Sequence, residues 1–347
     1  MTNIFTSQDT GEQKLEKDLN YLAIFSRESG GTAYASVLEI SSTPSLEIDS
    51  YGSRNNTNGI PDLCLFNRAS SATFTNQLGQ IETAAVDQLR HDYDSSGKYL
   101  GILIENQRTN FLLNSATPVT QSVSLSAGDY TTSVYGSGDC TLSGGATGVA
   151  TEGSDVVFNL AAPALVTFTV SGSLDRFQCE DGKYSTSFIS TAGVSATRAA
   201  DNFRVLTSAF PFNSSEGSVL IEYNSSNSGT CACSINDQTY QNRLTLIKNA
   251  IGVDSFRLYV ASANVFTIDI ESLSYAAAAF SYKDSSFYVS ANGSDPLSSL
   301  VGTVPAFTQF ALGQITGGFN CLDGHITRVA YFPKAISPDE LKLTSRK

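Results

Sequence analysis

GSVLIEY (217–223), GTCACSI (229–235), NRLTLIK (242–248), SFRLYVAS (255–262), VFTIDIE (265–271), YAAAAFSY (275–282), SSFYVSANGSDP (285–296), FTQFALGQI (307–315) and GHITRVAYFPK (324–334) follow one another with little between them but turn residues. Each run is rich in β-branched and aromatic residues and is closed by glycine, serine, asparagine or aspartate, the pattern of strands joined by tight connections. About nine such strands suffice for a jelly roll of two stacked antiparallel sheets, so 206–347 is expected to close a core by itself.

Working toward the N-terminus, the same punctuation recurs in 119–205. VTQSVSLSAGDYTTSVYGSG (119–138), DCTLSG (139–144), DVVFNL (155–160), ALVTFTVSG (164–172) and LDRFQCEDG (174–182) read as short strands of a smaller β-sandwich. Within it Tyr130 and Val134 are expected to face inward, and the threonines and serines between them to form a solvated face. Residues 61–118 carry strand candidates at 71–76 and 101–106, with a turn at Leu78-Gly79 and IETAAV (81–86) beyond it; they are too few to own a core and are expected to strap across one.

Residues 1–60 are expected to be a separate anchoring or assembly region, ending in the turn-rich RNNTNGIPD (54–62). EQKLEKDLNYL (12–22) places Leu15, Leu19 and Leu22 at helical spacing and predicts a short helix. A second is predicted at 338–345, where Ser337 caps, Pro338 opens the first turn and Glu340 completes a capping box. The fold class is therefore all-β, with antiparallel sandwiches and short helices near both termini.

Lysine and arginine number 21 against 33 aspartates and glutamates, a net charge of -12, and no basic cluster interrupts the chain. A nucleic-acid partner or an anionic membrane surface would require a positive footprint, so neither is expected. The N-terminal residues show no secretory signal, and the longest apolar run, AAPALV (161–166), is far short of a membrane span. Cys64, Cys140, Cys179, Cys231, Cys233 and Cys321 match no zinc or disulfide framework and are expected as buried free thiols, with Cys231 and Cys233 on one strand face.

Catalytic chemistry is not supported. His91 in LRHDYD and His325 in DGHITR stand in neither a nucleophile elbow nor a histidine-pair metal motif and read as solvated side chains. Two carboxylates flanking a glycosidic bond are required for hydrolysis, and the best string, Glu47-Ile48-Asp49, lacks the third carboxylate of the jelly-roll glucanases. Glu222, Asp269 and Glu271 read as outward solvated groups and form no calcium loop. No phosphate loop follows Gly144-Gly145 or Gly317-Gly318. The chain is expected to be no enzyme and to use no cofactor, calcium being unsupported.

Fifteen tyrosines and twenty phenylalanines stand beside no tryptophan. Sugar-binding surfaces pair aromatic platforms with amide or carboxylate groups, and Tyr240, Asn242, Tyr288 and Asn292 supply those types as the candidate carbohydrate site.

The string FNRASSATFTNQLGQIETAAVDQLRHDYDSSGKYLGILIENQRTNFLLNS (66–115) resembles a segment recurring in phage virion proteins that also carry a concanavalin A-like, laminin G-like lectin/glucanase sandwich. The elements that carry the resemblance are Arg68 to Thr73, Gly79 to Glu82, His91 to Asp94 and Gly101 to Asn110. DGKYSTSFISTAGVSATRAADN (181–202) is similar to the family's linker, with Phe188 and Ser190 in place of its tyrosine and proline, and 310–341 resembles the closing strands and helix. The resemblance implies a structural protein on the tail or capsid surface of a tailed-phage particle. Its implied partners are other virion proteins and host-surface polysaccharide. A homo-oligomer, a trimer in the first instance, is expected from the same comparison, although no heptad run enforces it. The alternatives are a free-standing carbohydrate-binding protein and, behind it, a polysaccharide-degrading enzyme.

Overall fold

The computed structural model describes residues 22–24, 36–38, 46–49, 64–225, 227–249, 253–271 and 275–346. The chain divides into two compact units, Met1–Thr43 and Pro44–Lys347. In the first, strands Leu22–Ile24 and Ser36–Leu38 pair antiparallel, with Leu22 opposite Leu38. The helix expected over 12–22 lies outside the described residues except for Leu22, which opens a strand instead. The boundary expected at 60/61 also lies outside them.

Among its described residues the second unit is all-β and antiparallel apart from one 3-10 turn and the closing helix. Its larger part is a jelly-roll-like sandwich of two antiparallel sheets. One sheet runs Ala263–Glu271, Val253–Val260, Arg243–Lys248, Thr230–Asn236, Gln309–Leu312, Asn202–Leu206, Cys64–Asn67. The other runs Leu297–Ser299, Ser286–Ala291, Tyr275–Lys283, Glu216–Asn224, Gly324–Phe332, Tyr99–Ile104, His91–Tyr93. Both contribute to one apolar core that includes Phe203, Leu246, Phe256, Phe280, Phe310 and Val329.

The expectation that 206–347 closes a core unaided is corrected by the sheet order. Leu46–Asp49 pairs with Arg328–Tyr331, Cys64–Asn67 pairs with Asn202–Val205, and Ile102–Ile104 pairs with Gly324–Ile326. These additions bury Ile48, Phe66, Ile102 and Ile104 in the same core. Without them the strands Gly324–Phe332 and Asn202–Leu206 would present unpaired backbone edges, which sheets avoid.

The smaller body, between 108 and 198, is built on a pair of unusually long strands, Gly128–Gly144 and Ala164–Asp181. The glycines Gly136, Gly138 and Gly172 predict a break in each strand. The structure keeps them continuous through a register shift at Tyr135/Gly136. Gly136 has φ +107 and a Cβ there would lie 2.8 Å from the backbone N of Asp175, so only glycine fits where the two strands cross the irregularity. Shorter strands Gln121–Leu125, Gly148–Thr151 and Val156–Leu160 add to the flanks, enclosing a core of Leu125, Tyr130, Val134, Leu142, Phe168 and Phe177.

Thr131, Thr132 and Ser133 are buried, contrary to the solvated face expected for them. Thr131 and Ser133 stand opposite Glu180 and Gln178, and the segment 183–191 lies over that face. Ile189 N donates to Gln178 Oε1 at 2.7 Å and Thr186 N to Glu180 Oε1 at 2.7 Å. The polar side chains alternate as expected, but their face is covered by polar chain rather than water.

All six cysteines are free and buried. A register shift between Cys231 and Cys233 separates them: Cys233 joins the main core and Cys231 packs with Ile247 and Ile315. The same-face expectation fails because the bulge breaks the period of two.

The helix Pro338–Thr344 forms with its capping box intact: Glu340 N donates to Ser337 Oγ at 3.3 Å and Ser337 N to Glu340 Oε2 at 2.7 Å. Leu341 is fully buried beneath it. Ser337→Ala is expected to cost about 1 kcal/mol, read as a lower urea midpoint with an unchanged slope.

Candidate functional site

Where the small body meets the jelly roll, four arginines and four carboxylates are buried together. Arg68 Nη1 contacts Asp201 Oδ1 at 3.1 Å, and Arg90 bridges Asp201 Oδ2 at 2.5 Å and Glu105 Oε2 at 2.6 Å. Arg198 reaches Glu105 Oε2 at 2.9 Å. Arg108 lies 3.7 Å from Asp323 and 3.9 Å from Glu180. With every member ionised the group is neutral, as a buried cluster must be to avoid the cost of an uncompensated charge.

Hydrogen bonds tie this knot to three parts of the chain. Glu105 accepts from Ser187 N and Oγ, both at 2.7 Å. Asn106 N and Nδ2 donate to Asp323 at 2.6 and 2.5 Å, and Cys321 N donates back to Asn106 Oδ1 at 3.0 Å. Tyr184 Oη donates to Asp323 Oδ2 at 2.9 Å. The quoted motifs RASSAT, RHDYD, GILIENQRTN, KYSTSFIS and TRAAD, separate in sequence, therefore converge in one place. Their shared job is to lock the strap and the small body onto the sandwich.

Opening beside the knot is a cleft of about 860 Å³. Its walls come from the hairpin Ala72–Thr75/Ile81–Ala84, from the small body and the segment after it, and from the jelly-roll edge near Asn227 and His325. The volume lies within the usual range for small-molecule sites, but the walls are unusually polar. Tyr135 and Tyr184 present half-buried rings, while Asp155 and Glu152 supply exposed carboxylates and Asn227 an amide.

Two further cleft groups are fixed by hydrogen bonds. Asp92 Oδ1 accepts from Thr75 N at 2.7 Å, and its Oδ2 lies 2.8 Å from His325 Nε2. Ser185 Oγ donates to Asp155 Oδ2 at 2.6 Å. His325 is thus half-buried and carboxylate-bound rather than solvated, and His91 lies 3.0 Å from the Tyr99 hydroxyl.

None of the four residues chosen from the sequence lines the cleft. Tyr240 and Asn242 sit in the loop between strands Thr230–Asn236 and Arg243–Lys248; Tyr288 and Asn292 belong to the opposite sheet and the turn after Ser286–Ala291. Asn242 is engaged by Asp237 at 2.8 Å and Ala261 N at 3.0 Å. Asn292 has φ +50 and accepts from Ala277 N at 3.0 Å, a turn role that asparagine fills without a ligand. Tyr288 stays half-buried on its sheet. Tyr240 meets the exposed Phe319 edge-on at 5.8 Å, with Arg243 over its ring.

The cleft residues escape a reading of the sequence because they come from many separate stretches between Thr73 and His325 and no spacing links them. One signal was available. Glu105 ends an apolar run, GILIEN, and a carboxylate entering a core must find a cation. Among the described residues no group of three or more His, Cys, Asp or Glu side chains is placed to hold a metal ion.

No protein-family model and no curated protein matches the chain. Several solved structures share part of its architecture. Domain 4 of AbnA, an extracellular arabinanase of Geobacillus stearothermophilus in complex with arabinotriose, is 15% identical over 48% of this chain and 84% of that one, with a TM-score of 0.35. The CBM40 of a Ruminococcus gnavus IT-sialidase bound to α2,3-sialyllactose is 16% identical over 39% and 84%, with a TM-score of 0.32. The NanB sialidase of Streptococcus pneumoniae is 15% identical over 40% of this chain, with a TM-score of 0.34, and the match spans only 26% of NanB. Such partial overlaps leave the function to be read from the site.

Proposed function

We propose that this chain is a carbohydrate-binding protein whose cleft seats a short saccharide, and that it works on the surface of a tailed-phage particle. The cleft carries the first part: aromatic faces for sugar rings stand beside carboxylate, amide and imidazole groups for hydroxyls. The ion-pair knot lies behind them, where Tyr184 is tied to it through Asp323. A hydroxyl-rich ligand satisfies such polar walls where an apolar one would leave them unpaired. The particle setting rests on the resemblance of 66–115 and 181–202 to virion proteins.

The full-length chain is expected to bind a subset of saccharides on a glycan array. Tyr135→Ala and Asp155→Ala are each expected to weaken that binding about tenfold, with thermal unfolding little changed because Asp155 is exposed and Tyr135 lies outside the core. Binding untouched by both variants would remove the cleft as the site. An antibody to 206–347 should label intact particles in electron micrographs, and unlabelled particles would leave a free-standing lectin.

A further inference from the structure

Arg176 stands apart from the other arginines around the cleft. Arg68, Arg90, Arg108 and Arg198 are all ion-paired. Arg176 lines the cleft, yet among the described residues its side chain has neither an ion pair nor a hydrogen bond. Its guanidinium carbon lies 4.6 Å from the centre of the Tyr135 ring and 5.7 Å from that of Phe188. Those rings hold the cation but offer no oxygen to its N–H donors.

The position is rigid. Arg176 and Tyr135 are cross-strand partners on the two long strands, beside the register shift, and Phe188 belongs to the segment that covers the adjoining face. Thr131 with Glu180, and Ser133 with Gln178, are sealed beneath that segment; Arg176 is half-buried where the cover gives way to the cleft. A side chain ordered on strands and stacked on rings loses little entropy when an anion arrives.

We infer that Arg176 is the receptor for a carboxylate carried by the saccharide, so that the cleft selects acidic sugars such as uronates or sialates. This rests on the saccharide reading of the cleft. A planar guanidinium fork matches a carboxylate with two parallel N–H···O bonds, and its ring contacts leave that fork available. Asp155 and Glu152 repel a second negative charge, so they admit one carboxylate and accept from the hydroxyls around it. The net charge of -12 argues further against simple polyanion attraction and for a single placed group.

The test compares galacturonate with galactose, and sialyllactose with lactose, each acidic member carrying one carboxylate, by calorimetry on the full chain at low and high salt. The acidic member of at least one pair is expected to bind about 10- to 100-fold tighter, with a preference that shrinks as salt rises. The pair that responds tells uronate from sialate. Arg176→Gln is expected to abolish the preference and keep the weaker neutral binding. Arg176→Lys, which keeps charge and ring contact, should retain a salt-sensitive remnant and serves if the glutamine variant folds poorly. Equal binding within both pairs, or a preference that survives Arg176→Gln, overturns the role of Arg176 and leaves the saccharide reading standing. Failure of all four probes to bind overturns both.

Discussion

Asp201→Ala is expected to destabilise the protein by about 3 to 5 kcal/mol, the cost of leaving buried cations without their partner. Asp201 is wholly buried, contacts Arg68 and Arg90, and accepts from Glu105 N at 2.8 Å. Its removal leaves Arg68 with only the carbonyls of Ser70 and Ala85. Calorimetry should show a fall in Tm of roughly 10 °C. Adding Arg68→Met should recover part of the loss, because an apolar replacement removes the orphaned charge. The exposed Glu82→Ala should shift stability by less than about 0.5 kcal/mol. A fall no larger than that for Asp201→Ala would mean that the knot does not hold the two bodies together.

Stability should also depend on pH in two opposed ways. Burial pushes the Glu180 carboxyl up to about 7 despite hydrogen bonds from Thr186 and Gln178 and the nearby Arg198. Between the unfolded value near 4.5 and 7 the folded protein holds a proton that the unfolded chain has released, so stability falls as pH rises through that window. Burial acts on Asp323 in the same direction. For Glu105 burial is outweighed by Arg198, Arg90 and Ser187, which hold it down to about 2. Its contribution is complete above about 4.5 and is lost as pH falls toward 2. Glu180 and Glu105 each move stability by on the order of 3 kcal/mol. Urea unfolding from pH 3 to pH 8 should therefore show a maximum in the mildly acidic range. Glu180→Gln should flatten the limb above it, and an unchanged slope in that variant would remove Glu180 as its cause.

The sandwich was readable because one face of most jelly-roll strands is apolar, as in VFTIDIE, where Phe266, Ile268 and Ile270 point inward and Asp269 outward. The capping box at Ser337 was legible for a similar reason, being local chemistry. Legibility ended where burial came from partners distant in sequence. Thr131 and Ser133 look solvated until the segment 183–191 is laid over them, and His325 looks solvated until Asp92 meets it across 233 residues. Gly136 reads as a turn because its positive φ suits one, and only the pairing with 164–181 shows a strand passing through. The cleft was invisible because nothing in the spacing of Tyr135, Arg176 and Asn227 brings them together.

The pairing of Leu46–Asp49 and Tyr99–Ile104 with Gly324–Phe332 sets an order of events on the ribosome. Residues 46–49 and 99–104 wait for a strand translated roughly 200 or more residues later, and at about 5 to 20 residues per second that delay is tens of seconds. The small body needs no such wait, since the long strands of its hairpin are complete by residue 181. The nascent chain thus carries an early-folded middle with its own N-terminal strands exposed beside it. These stay open to chaperones or to wrong edges until the C-terminal strand arrives to close the sheet.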